Sequence, residues 1–284
     1  MCKEYVKLII RSYNMKHFGR LALLGALLTL TTLKSGAQEK IIINSPNLKC
    51  NDTILVFSPE AASAQTPTLF LLHGWSGDWS NWSTKYDLQE ISNRTGFRII
   101  TPDGFYNSWY LNNIDPAKMQ YRTFVDEELY PQMKERYNLK RETTFITGLS
   151  MGGHGAINIF LDDTTRFRTA GSMSGVLDLP STNLRKSQMS LVIGMDSLYC
   201  LSQSAHTRVA ERGKGLSTPL VVTSGYDDFY ATNAETFCKV CKEHNIPYIL
   251  MLSPGKHSWK YWGFALEVHL QIFKAILEGK NLGF

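Results

Sequence analysis

Apolar residues along most of this chain recur with the periods of strands and helices in alternation. Short runs rich in β-branched and aromatic residues occupy residues 68–72, 97–101, 143–147, 169–174, 220–225 and 248–252, the lengths expected of buried strands. Between them, residues 121–136, 151–161, 231–244 and 261–277 carry apolar side chains at helical spacing. This alternation predicts a mainly parallel sheet covered by helices, an α/β architecture. Residues 178–218 hold no steady period and are expected to form an irregular cap after the first half of the sheet.

The N-terminal pattern is different in kind. A basic start from Met15 to Arg20 precedes an apolar run at residues 21–33, and Ser35, Gly36 and Ala37 follow. That order predicts a secretory signal beginning about Met15 and cleaved after Ala37, with residues 1–14 as an upstream extension. The run is too short to span a bilayer comfortably. Gln38, not a cysteine, stands immediately after the cleavage point, so no lipid anchor is expected. Residues 38–284 should then form one secreted or periplasmic domain.

Charge changes its meaning once the leader is set apart. The 284 residues carry a formal net charge of +5, from 30 Lys/Arg against 25 Asp/Glu. Six of those cations and one of those anions lie within residues 1–37, which leaves 24 of each beyond. The basic surplus belongs to the leader and argues for no nucleic-acid partner. Four cysteines remain: Cys50, Cys200, Cys238 and Cys241. Cys238 and Cys241 share a face near the far end of a predicted helix, where small buried residues are expected rather than a redox pair. No histidine or cysteine spacing suggests a metal.

The candidate chemistry sits where a strand turns into a helix. Gly148-Leu149-Ser150-Met151-Gly152 follows the strand at residues 143–147 and opens the helix at residues 151–161. Glycines on both sides let the chain turn tightly and leave the serine oxygen standing proud. This is the pattern of a nucleophile elbow in an α/β-hydrolase, and it predicts acyl transfer through a serine ester. Such a serine needs a base, and a carboxylate to orient that base, in the chain order Ser, Asp or Glu, His. Past the strand at residues 220–225 stand Asp227 and Asp228, and past the strand at residues 248–252 stands His257 in a Pro/Gly turn. One aspartate should face the histidine while the other caps the next helix. His73 is expected to shape a glycine loop, and His154 to pack beneath the site. His206, His244 and His269 read as surface or helix residues. The developing negative charge needs two backbone N–H groups, one from Met151 and one from Trp75, whose orientation Gly74 permits.

These motifs together resemble the esterase D family of α/β-hydrolases, which includes S-formylglutathione hydrolases, short-chain carboxylesterases, feruloyl and acetylxylan esterases, and mycolyltransferases. The matching runs extend from Leu71 to Trp82, Thr101 to Gly104, Ser108 to Tyr110, Thr123 to Leu129, Gly148 to Gly153, Ser172 to Gly175, Gly225 to Phe229 and Gly255 to Trp262. The resemblance implies Asp228, before the aromatic residue, as the acid, and Trp75, where many relatives carry leucine, as the second oxyanion donor. It implies a carboxylesterase-type serine hydrolase acting without a cofactor on a small-molecule or oligosaccharide ester, with acetyl or hydroxycinnamoyl groups on carbohydrate as the leading class. A thioesterase like the S-formylglutathione hydrolases, or an acyltransferase, would use the same residues. A carbohydrate-binding homologue without chemistry would be expected to lack a triad member. Trp79 and Tyr226 lie beside catalytic positions as candidates to stack on substrate, whereas Trp82, Trp109 and Trp262 are expected to serve packing.

Overall fold

The computed structural model describes residues 38–280. The leader expected over residues 1–37 lies outside the described residues. Strand β1 (Glu39–Ser45) pairs antiparallel with β2 (Cys50–Phe57), and β2 pairs antiparallel with β4 (Arg98–Thr101). From β4 inward the sheet is parallel: β3 (Thr68–Leu72) lies between β4 and β5 (Thr144–Gly148). A second parallel group holds β6 (Gly171–Met173), β7 (Leu220–Gly225) and β8 (Tyr248–Ser253). Bridges from Ile146 to Ala170 and from Leu149 to Met173 join the groups. The strand order is therefore β1-β2-β4-β3-β5-β6-β7-β8, and the expected α/β-hydrolase architecture holds.

The pleat explains the two cores. On β3, Phe70 and Leu72 face one apolar cluster while Leu69 and Leu71 face the other, the two-residue alternation of a strand covered on both sides. All positions of β3, β4, β5 and β7 are buried, which is why these strands show no alternation of apolar and polar residues.

Among the described residues the α-helices, in chain order, are α1 (Leu88–Thr95), α2 (Tyr121–Phe124), α3 (Tyr130–Tyr137), α4 (Met151–Asp162), α5 (Ser190–Ile193), α6 (Ser197–Gln203), α7 (Ala205–Arg212), α8 (Ala231–Glu243) and α9 (Trp259–Leu277). Helix α4 is buried at every residue from Met151 to Leu161. On the opposite face, Phe273 of α9 stacks on Phe145 of β5 with centroids 4.7 Å apart.

Two expectations are corrected. The single helix expected over residues 121–136 is α2 and α3 joined by a π-helical stretch, Val125–Leu129, in which the Tyr130 N–H reaches the Val125 carbonyl. Pro131 at the start of α3 has no N–H to give and loosens the ladder there. The cap is also more helical than its pattern suggests, since α5, α6 and α7 all lie within it. Its apolar residues do not all face inward: Leu198 is 78% exposed and Leu191 63%, which blurs the helical period. The β1–β2 hairpin and α1 add to the elements expected from the pattern.

Candidate active site

Ser150 stands between β5 and α4 with φ 52° and ψ −116°, backbone angles that few non-glycine residues adopt. Its surroundings leave no other path. A Cβ on Gly148 would lie 2.5 Å from the Gly152 carbonyl oxygen, and one on Gly152 would lie 2.4 Å from the His73 carbonyl oxygen. Strand, helix and the loop after β3 are therefore in direct backbone contact. The Ser150 N–H donates to the Met173 carbonyl (2.9 Å), which ties the turn to the next strand.

His257 comes from the loop after β8, as its place past a strand end predicts. Its Nε2 lies 3.0 Å from Ser150 Oγ, and its Nδ1 lies 3.1 and 3.0 Å from the two carboxylate oxygens of Asp228. The ring is caged by Phe229 (centroids 4.5 Å), Trp262 (4.9 Å, edge-on) and Tyr230 (5.3 Å). The Asp228 side chain is fully buried and also accepts the Tyr230 N–H at 2.8 Å. Burial alone would raise its pKa; the hydrogen bond and charge of His257 and the Tyr230 N–H outweigh it, so the carboxyl sits below its usual value and stays ionised. Asp227 is exposed, and its backbone N–H donates to the Gly255 carbonyl (2.9 Å). It does not cap the next helix: Tyr230 holds the position before α8, and no side chain caps that end.

Among the described residues, neither Met151 nor Trp75 donates its N–H to a protein acceptor. Met151 opens α4, so its N–H is one of the helix's unpaired donors and carries the positive end of the helix dipole. Trp75 is oriented through its own peptide plane. The Gly74 carbonyl, on that same plane, accepts from His73 Nδ1 (2.8 Å) and the Gly77 N–H (3.2 Å), which turns the Trp75 N–H the opposite way. His73 Nε2 accepts the Gly104 N–H at 2.7 Å, so the ring proton sits on Nδ1. His73 thus shapes the loop as expected.

The cleft above Ser150 has a volume of about 560 Å³ and is lined by Gly74, Trp75, Leu184, Phe229, Trp259 and Trp262, among others. Trp79 and Tyr226, the two aromatics expected to meet substrate, do not line it. Trp79 is packed against the second core cluster with the Lys40 ammonium 4.5 Å over its ring. Tyr226 is 60% exposed and held by its backbone N–H to the Ser253 carbonyl. Sequence neighbours of catalytic candidates can point away from them, since successive loop residues face different ways. Trp262, expected only to pack, both packs and borders the cleft. Phe229 and Trp259 were legible only as neighbours of Asp228 and His257 in the motifs.

The other histidines separate by burial. His154 lies fully buried, and burial pushes it down to about 3. His269 is a helix residue of α9 but not a surface one: it is fully buried between β5 and β7, with Nδ1 2.9 Å from Thr147 Oγ1 and Nε2 3.2 Å from Thr223 Oγ1. The four cysteines among the described residues are free, and burial raises the Cys241 thiol to about 12.

A family model described as "Putative esterase" matches residues 45–272. The chain belongs to this esterase family. Among curated relatives it is 26% identical over 262 residues to an S-formylglutathione hydrolase from Mus musculus, covering 83% of this chain and 93% of the relative. It is 28% identical over 244 residues to an acetyl esterase from Caldicellulosiruptor saccharolyticus, covering 77% and 91%. Among solved structures, a ferulic acid esterase superposes with a TM-score of 0.73 at 23% identity, covering 84% of this chain and 98% of that one, a likeness of fold. The protein is an enzyme, a serine hydrolase of the carboxylesterase type.

Proposed function

We propose that this esterase cleaves short acyl groups from carbohydrate through an acyl-enzyme on Ser150. The observation that carries the reading is the chain of contacts from Ser150 Oγ through His257 to Asp228, beside two unpaired N–H groups. Ser150 Oγ attacks the ester carbonyl while His257 Nε2 takes its proton. Asp228 holds the imidazole in its tautomer and offsets the charge that forms on it. The Met151 and Trp75 N–H groups receive the oxyanion. The ester C–O bond breaks, and His257 returns the proton to the departing alcohol. Water, deprotonated by the same imidazole, then attacks the acyl carbon and releases a carboxylic acid and free Ser150.

The acetyl esterase relative supports a small acyl group, and the ferulic acid esterase fold leaves room for a phenolic one. The leader pattern at residues 15–37 supports action outside the cytoplasm. Turnover of p-nitrophenyl acetate, p-nitrophenyl butyrate, acetylated xylan and methyl ferulate, with Ser150→Ala as control, tests the reading. Acetyl esters should lead, and the variant should lose about 10⁵-fold or more in kcat. Activity that survives in Ser150→Ala, or no turnover of any ester by folded protein, would defeat it. N-terminal sequencing of the exported protein should begin at Gln38; an intact Met15 start would contradict the leader.

A further inference from the structure

The sheet has two edges, and they are built differently. At one of them β1 begins with Glu39 and Lys40, and Glu39 is paired with Arg136. At the other, β8 holds no charge, proline or glycine over its six residues, and none of the six is fully buried. Charged side chains keep an open edge from pairing with a further strand, and β8 has none.

The hydrogen bonds of β7 fix which way the β8 backbone faces. The Leu220 N–H donates to the Pro247 carbonyl (3.0 Å) and the Tyr226 N–H to the Ser253 carbonyl (2.8 Å). With Val221 opposite Ile249 and Thr223 opposite Met251, it is Ile249, Met251 and Ser253 that turn their backbone groups to β7. Tyr248, Leu250 and Leu252 turn theirs outward, and among the described residues no strand pairs with that side. Three N–H groups and three carbonyls thus stand in one line without partners.

We infer that β8 is the interface with a second copy of this chain, paired antiparallel about a two-fold axis at Leu250. In that register Leu250 faces its own copy and Tyr248 faces Leu252, so every outward group is matched in hydrogen-bonded pairs. Any other register leaves some of them unmatched. A copy of this chain brings a free, uncharged edge of equal length, and closure about one axis uses up the β8 edge of both copies. The charged β1 edge blocks further growth of the sheet. Pairing also covers apolar surface: Tyr248 and Leu250 lie half-buried against one core cluster and Ile249 against the other. Past the Ser253 end, a hollow of about 530 Å³ bordered by Pro254, Tyr261 and the 49% exposed Phe264 lies on the side to which the axis brings the start of the copy's strand.

Light scattering of the eluting protein, loaded at concentrations up to about 100 μM, should give the mass of two chains at the upper end. Leu250→Pro removes the central outward N–H but no bond to β7, and should weaken the dimer roughly tenfold or more. The register is read by cysteine pairs, with Cys2→Ser and Cys50→Ser as background. Treated with diamide, Leu250→Cys should form a disulfide to its own copy, because hydrogen-bonded partners have Cα atoms about 5.5 Å apart. Tyr248→Cys alone and Leu252→Cys alone should stay unlinked, since each lies more than about 13 Å from itself across the axis. Mixed together, those two variants should cross-link. A monomer at every concentration would overturn the inference and leave the edge to a different partner. A dimer in which Leu250→Cys stays unlinked, or a mass above two chains, would overturn it as well.

Discussion

The elbow and the cap border the same cleft but are held in opposite ways. At the elbow, backbone touches backbone: the sites for a Cβ on Gly148 and Gly152 are already occupied by carbonyl oxygens, and α4 is buried along nearly its whole length. In the cap, short helices leave Leu191, Met195 and Leu198 more than 60% exposed. Their inner faces reach the main core through Ile193, Cys200 and Val209, and hydrogen bonds such as Asn107 Nδ2 to the Gln188 carbonyl (2.8 Å) and Arg185 Nη1 to the Gly194 carbonyl (2.8 Å) tie the segment in place. The elbow has one geometry available, whereas the exposed side chains of the cap can change without disturbing it. The sheet thereby fixes the position of Ser150, while the cap reaches the rim of the same cleft through Asn183 and Leu184.

The largest effect expected on the elbow side is chemical. Asp228→Asn should lower kcat by about 10³-fold or more, because an amide facing Nδ1 favours the wrong tautomer of His257 and leaves its charge uncompensated. Asp227→Asn, at an exposed position whose only bond to the next loop is through backbone, should stay within about threefold of the parent. Steady-state kinetics on one ester compare them; the reverse ranking would put the acid at Asp227.

Next in size is packing. Gly148→Ala should cost about 2–4 kcal/mol in urea denaturation, since the new methyl meets the Gly152 carbonyl and Leu72 Cβ and neither can retreat. A cost below about 1 kcal/mol would mean the elbow is looser than the contacts imply.

The sheet beneath the elbow should also respond to acid. Burial holds the folded pKa of His269 down to about 3, against about 6.5 in an unfolded chain. Below pH 6.5 the unfolded state binds a proton that the folded state refuses, so stability falls as pH drops and the loss ends only near the folded value. From pH 6.5 to 4.5 the loss from this residue should be on the order of 2–3 kcal/mol. The difference in unfolding free energy between pH 7 and 4.5 should be smaller in His269→Gln than in the parent; equal differences would show that His269 does not titrate this way.

The smallest effect belongs to the cap. Leu198→Ser, at a side chain 78% exposed, should change stability by no more than about 0.5 kcal/mol. A larger loss would mean that this part of the cap is as tightly built as the elbow.

The same contrast explains what could be read from the sequence. The strands β3, β5 and β7 were legible because burial on both faces favours uncharged runs rich in β-branched and apolar residues, and the glycines of the elbow because close approach permits nothing else. His257, Asp228 and Ser150 stood out by their places past strand ends, and the structure brings these three side chains together. Trp79 and Tyr226 misled because nearness in sequence does not fix the direction of a loop side chain, whereas Phe229 required the position of the imidazole to be known. The helices of the cap were hidden by their own exposure, and His269 by a helix long enough to have both a wet and a dry face.

Covalent capture of Ser150 tests the central claim most directly. The protein is treated with an alkyl fluorophosphonate, whose phosphorus takes the serine oxygen and releases fluoride, and the modified peptide is located by mass spectrometry. A single adduct on Ser150, formed in step with loss of esterase activity and slowed by a substrate ester, is the predicted result. An adduct at another residue that abolishes activity, or full inhibition with Ser150 unmodified, would contradict it.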